Sequence, residues 1–218
     1  MKRVMKAFSS ILLIAIAIPV MAQGTPDIVT VASVTGSGVV DVPVYIRDTA
    51  ATPLGIDQPA GSRIQSYSLR VTYSPASAVQ SISFSRAGIT APLTPTFENS
   101  PSAPGSIALL GTFDEATNLI PFTSNATLPG NQVAHLLVTI APGTTPGTNI
   151  TLTLDPVLTQ LTDDAGSPGT IETVGNGRLQ LVNGAILVVS SAVPTLAEWA
   201  LGLLAAGLAL VALRMRLT

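Results

Sequence analysis

The stretch Ser66-Tyr67-Ser68-Leu69-Arg70-Val71-Thr72-Tyr73 decides the fold class. Tyr67, Leu69, Val71 and Tyr73 alternate with Ser66, Ser68, Arg70 and Thr72, so a strand puts one set inward and the other toward solvent. The same period of two recurs on both sides. In VVDVPVYIRD, Val40, Val42, Val44 and Ile46 share a face opposite Asp41, Pro43, Tyr45 and Arg47. In NITLTL, Ile150, Leu152 and Leu154 oppose Asn149, Thr151 and Thr153. Shorter runs at 28–33, 78–85, 106–112, 133–140, 157–162, 178–181 and 185–189 read as further strands, giving nine or ten in all. Gly, Pro, Ser and Thr clusters separate them, and no amphipathic helix interrupts, which predicts a β-sandwich or closed barrel. The outward positions are Ser, Thr and Arg rather than a lipid-facing band, which excludes a membrane barrel. Pro43 cannot donate to a ladder, so its strand is expected at a sheet edge or beside a bulge. The connections at 49–62, 91–105, 115–130 and 163–175 are long for a compact domain.

The 218 residues suit one domain with extensions. Only 10% are charged and 4% aromatic, so the core is built from aliphatic side chains. Zero Cys removes disulfide scaffolds, thiolate zinc sites and Cys nucleophiles, and a single His leaves no imidazole cage. Between residues 23 and 190 there is no Lys; five Arg face eleven acids, a net charge of −6. Such a surface excludes nucleic acid as a partner.

Both ends read as targeting segments. Lys2, Arg3 and Lys6 precede about ten apolar residues, ILLIAIAIPV, and Pro19 precedes the small-residue site Val20-Met21-Ala22. Residues 1–22 are thus expected to be a signal peptide handled by Sec export and signal peptidase, cut between Ala22 and Gln23. At the other end, residues 196–213 carry one charge, Glu198, and 18 residues at ~1.5 Å span roughly a hydrocarbon core. Trp199 suits one interface, and Arg214 and Arg216 act as stop-transfer residues on the cytoplasmic side. A membrane-spanning helix over 196–213 is therefore expected.

The tail VPTLAEWA, its span and its terminal arginines resemble the IPTL-CTERM sorting signal of Gram-negative bacteria, whose pattern is close to Ile-Pro-Thr-Leu-Ser-Glu-Trp-Gly. Pro194, Thr195, Leu196, Glu198 and Trp199 match; Val193, Ala197 and Ala200 depart from it. The resemblance covers 193–218 and implies processing by an exosortase-like membrane enzyme, as in PEP-CTERM systems. It further implies inner-membrane anchoring before processing, and then residence in the cell envelope, at the cell surface or in the extracellular matrix.

The middle of the chain, 25–190, resembles a cohesin domain. The carriers, in order, are VDVPVYI, SYSLRVTYSPASAVQSISF, GSIALLGTF, VAHLLVTIAPGTTPGTNITLTLD and VNGAILV. Where the family typically has Tyr-Asp-Pro, this chain has Tyr73-Ser74-Pro75. The resemblance implies a jelly-roll sandwich of about nine strands that presents a flat face to a partner. Classical cohesins bind dockerin modules in polysaccharide-degrading assemblies.

Catalytic chemistry has little support. His135 lies in VAHLLV, on strict alternation sharing a face with Val133 and Leu137, and nothing in the surrounding sequence favours a Ser–His–acid triad. There is no G-x-S-x-G elbow and no phosphate-binding loop. Asp163 and Asp164 in LTDDAGSPG, with Asp155 upstream, are the candidate oxygen ligands for calcium, but the EF-hand spacing is absent and no metal or cofactor is assigned. The expectation is a non-enzymatic, exported surface or matrix protein that adheres to another protein. The alternative is a carbohydrate-binding module accessory to polysaccharide degradation. That alternative is disfavoured by the lack of Trp between residues 23 and 190, since Trp199 lies in the tail.

Overall fold

A computed structural model of the protein describes residues 25–114, 116–123, 126–163, 170–190 and 203–205. The first strands in chain order are β1 (Asp27–Val31), β2 (Val34–Gly36), β3 (Val39–Arg47), β4 (Ser66–Ser74), β5 (Val79–Arg86), β6 (Phe97–Asn99) and β7 (Ser102–Ala103). They are followed by β8 (Ser106–Thr112), β9 (Asn131–Ile140), β10 (Asn149–Leu154), β11 (Gln160–Thr162), β12 (Ile171–Glu172), β13 (Leu179–Val182) and β14 (Gly184–Val188). The smaller sheet runs β13-β1-β3-β9-β5. The larger is centred on β4, with β8 on one side and β10 and β11 end to end on the other. Beyond β8 lie β6 and β7, beyond β10 lie β14 and β2, and β12 pairs with β11.

The expected all-β sandwich is present, and the alternation explains its core. Val42, Val44 and Ile46 from the smaller sheet and Leu69, Val71, Ile150, Leu152 and Ile186 from the larger are all fully buried in one cluster. The strand count exceeds nine or ten because β2 splits from the first strand and the expected connections at 91–105 and 163–175 carry the short strands β6, β7 and β12. After Val31 the chain leaves the smaller sheet and re-enters the larger as β2, while β13 and β14 do the same across Asn183. The two divided strands run parallel, β1 with β13 and β2 with β14. They cross at Gly184, where a Cβ would press on the Ala32 carbonyl and lie 2.6 Å from the Val31 carbonyl oxygen. Only a residue without a side chain permits that approach.

Three local expectations change. Pro43 sits in a central strand of the smaller sheet, not at its edge. Its missing N–H falls where β1 departs, since the last bond of that pair runs from Ala32 N–H to the Pro43 carbonyl; the expected bulge follows at Val44/Tyr45. That bulge takes Val133 out of step. Val133 and Ala134 are both buried, while His135 faces outward with Leu137 and Thr139. The run 157–162 is a strand only from Gln160; Val157 and Leu158 form an exposed turn.

The signal segment with Ala22 and Gln23, the sorting residues Val193, Pro194, Thr195, Leu196, Glu198 and Trp199, and Arg214 and Arg216 all lie outside the described residues. Residues 203–205 are helical. Among the described residues no helix is long and apolar enough to cross a membrane.

Candidate functional site

Cross-strand register assembles a broad outer face on the larger sheet. Of the outward residues of β4, Ser66, Ser68, Arg70, Thr72 and Ser74, the first four stand opposite Thr112, Leu110, Ala108 and Ser106 of β8 on one side. On the other side they meet Thr162 and Gln160 of β11 and Thr153 and Thr151 of β10. Hydroxyls dominate this surface. Its central charge is Arg70, held by a 3.1 Å hydrogen bond from its guanidinium to Ser106 Oγ. Short hydroxyl side chains keep the face flat, and a β-sheet supplies rigid spacing between them.

A built turn rises beside Arg70. The carboxylate of Asp155 accepts bonds from Val157 N–H at 2.9 Å and Leu158 N–H at 3.0 Å, and the Thr159 N–H reaches the Asp155 carbonyl. Ser68 Oγ donates to the Leu158 carbonyl at 2.8 Å, tying the turn to β4. The turn leaves Val157 79% and Leu158 46% exposed. Asp155, read as a candidate calcium ligand, is thus the brace of this apolar knob. Asp163 is buried and accepts a bond from Thr170 N–H, while Asp164 lies outside the described residues. Among the described residues no three acidic or histidine side chains are gathered closely enough to hold a metal ion.

The structure does surround His135 with the partners of a triad, which its local sequence did not show. Its Nε2 lies 2.9 Å from Ser85 Oγ and its Nδ1 3.2 Å from an Asp41 carboxylate oxygen. The three come from neighbouring strands β5, β9 and β3. They stand on the open outer face of the smaller sheet. The N–H groups of β9 are committed to ladders on both sides, so this strand offers no donors for a developing oxyanion. Ser85, His135 and Asp41 thus set a hydroxyl, an imidazole and a carboxylate within hydrogen-bond reach along one face.

One end of the sandwich is polar inside. Asp27 opens β1, and extending the β1–β3 register sets it opposite Asp48. Asp27 Oδ1 accepts bonds from Thr49 N–H at 2.7 Å and from the Thr49 and Thr52 hydroxyls. Glu172, from the larger sheet, accepts from Leu54 N–H at 3.1 Å. The other oxygens, Asp27 Oδ2 and Glu172 Oε2, are buried and have no donor among the described residues. A shared proton between these two carboxyls completes both. Burial, and then the charge of Glu172, push Asp27 up to about 8. Burial also raises Glu172, against the bond from Asp27. Asp48 is pushed up to about 7 by burial, and then by the charges of Asp27 and Asp57. These acids are spread over 27, 48 and 172, so no local motif reveals them. The one sequence signal is that Asp48 continues the inward series Val42, Val44, Ile46.

No protein-family profile matches the chain, and no curated protein matches it in sequence. Solved structures do match its shape. The third cohesin of ScaC from Acetivibrio cellulolyticus, solved in complex with the ScaB dockerin, shares 16% identity at a TM-score of 0.52, over 75% of this chain and 99% of that one. A cohesin of a type I cohesin–dockerin complex from Clostridium thermocellum shares 11%, with the same TM-score and coverage. The sixth cohesin of scaffoldin B from A. cellulolyticus, in complex with a Cel5 dockerin variant, shares 17% at 0.52, over 75% and 99%. At such identities the likeness speaks for architecture alone, and on that ground the chain has the all-β sandwich fold of cohesin domains.

Proposed function

We propose that this chain is an exported, non-enzymatic adhesion protein of the envelope, surface or matrix of a Gram-negative bacterium, and that its sandwich docks a protein partner on the outer face of the larger sheet. The carrying observation is the braced Val157–Leu158 knob beside the flat hydroxyl face around Arg70. Exposed apolar side chains on a rigid turn lose little entropy when covered, and an arginine amid hydroxyls gives orientation. The sandwich is shared with cohesins solved in complex with dockerins, which supports a protein as the partner. Sugar-binding faces need exposed planar rings. Of the described aromatics, Tyr67, Phe84, Phe113 and Phe122 are buried, Tyr45 and Tyr73 half-buried, and only Phe97 is exposed, which supports protein over glycan. The sorting reading is part of the same proposal: Sec export, then handling of the Val193–Trp199 motif by an exosortase-like enzyme.

The test is chemical cross-linking on native cells expressing the tagged full chain. The double variant Val157→Asp, Leu158→Asp is expected to lose the cross-linked partner, while His135→Ala on the opposite sheet retains it. Loss in the His135 variant with retention in the double variant would move the binding face to the smaller sheet and overturn the proposal.

A further inference from the structure

Beside the buried acids a cavity of about 70 Å³ opens between the loop after β3 and the loop before β9. Its walls are Ile56, Ile64, Leu119, Ile120, Pro121 and Phe122, and Asp48 closes one side. Asp48 is 4% exposed; its Oδ2 accepts from Ile56 N–H at 2.8 Å, and its Oδ1 has no donor among the described residues. Gly55 lies beside that oxygen. A Cβ at 55 would lie 2.7 Å from Asp48 Oδ1 and 3.1 Å from Asp57 Oδ1, so two carboxylate oxygens flank a point that no side chain fills.

We propose that this cavity receives a primary alkylammonium group, namely the side chain of a lysine presented by the partner protein. An apolar sleeve suits the methylenes, and the unpartnered Asp48 oxygen at its side suits the ammonium. A hydrated divalent ion would gain nothing from the aliphatic walls, and the oxygens gathered here fall short of a metal set. The charge balance agrees. Asp27, Asp57 and Glu172 surround Asp48, with Arg178 acting on Glu172. Arg63 also lines the cavity and already interacts with a neighbour. The domain has no lysine between residues 23 and 190, so the group must come from outside it.

The inference rests on the adhesive reading only for the source of the lysine, so it is tested without the partner. The full chain in mild detergent is titrated calorimetrically with N-acetyl-lysine N-methylamide, and with the uncharged norleucine analogue. The lysine compound is expected to bind at least tenfold more tightly than the norleucine one. Its affinity should rise about tenfold from pH 6 to pH 8, as Asp48 ionises near 7. Asp48→Asn should weaken it at least tenfold. Leu119→Trp, which fills the cavity and leaves the acids intact, should abolish it while the melting temperature holds. Equal binding of the two compounds, retained binding in the Leu119 variant, or tighter binding of calcium than of the amine would each overturn the inference. Such a result, with cross-linking at the knob intact, would leave the adhesive reading standing.

Discussion

Raising the pH from 5 to 8 should destabilise this domain, against the usual behaviour of carboxylates. Asp27 and Asp48 are pushed up to about 8 and about 7 from an unfolded value near 3.8, and Glu172 is raised with them. Over the interval between those values the folded chain holds protons that the unfolded chain has released. Unfolding stability therefore falls as pH climbs through it, and the contribution is complete only below about pH 4. A group displaced over the whole interval changes stability by up to ~1.4 kcal/mol per pH unit. Two such groups from pH 5 to 7 give at most ~5 kcal/mol, and partial solvation near Asp48 makes ~2–5 kcal/mol the working range. For a domain of this size that lowers the melting temperature by about 5–15 °C. Urea unfolding of the full chain in detergent, followed by far-UV circular dichroism at each pH, measures it. Asp27→Asn keeps an acceptor for the Thr49 N–H and offers Glu172 Oε2 an amide donor that does not titrate. It should flatten the slope and be more stable than the wild type at pH 8. Stability that rises between pH 5 and 8, or an unchanged slope in the Asp27 variant, would refute the shared-proton arrangement.

Other outcomes follow from the same structure. Gly184→Ala forces apart the two crossing strands and should cost ~1–3 kcal/mol or more in urea unfolding. Leu152→Ala removes a fully buried side chain between the sheets and should cost ~2–5 kcal/mol with the strand content unchanged by circular dichroism. In the tail, Pro194→Ala or Trp199→Ala should leave an uncut precursor in the membrane fraction while export continues; normal processing of both variants in immunoblots would make the tail an ordinary anchor.

Strand faces were legible because burial follows parity: Val40 to Ile46, Tyr67 to Val71 and Ile150 to Leu154 needed no knowledge of their neighbours. Parity held His135 with Leu137 but failed at Val133, because one inserted residue there turns its side chain to the other face and a bulge depends on the partner strand. The Val157–Leu158 turn was misread for a related reason. Two apolar residues promise burial, yet Asp155 folds back onto their amides and turns them outward. The triad-like set and the buried acids were illegible because tertiary pairing alone brings residues 41, 85 and 135, or 27, 48 and 172, together. Asp48 was within reach, since it stands at an inward position of a strand already assigned, and an acid there signals a polar interior.

The most direct measurement is residue-resolved photo-cross-linking in the native envelope. A photoreactive amino acid is placed at Thr151 on the outer face of the larger sheet, or at Ser83 on that of the smaller, both exposed. A discrete protein adduct is expected from position 151, abolished by the Val157→Asp, Leu158→Asp pair, and none from position 83. An adduct from position 83 alone would contradict docking on the larger sheet.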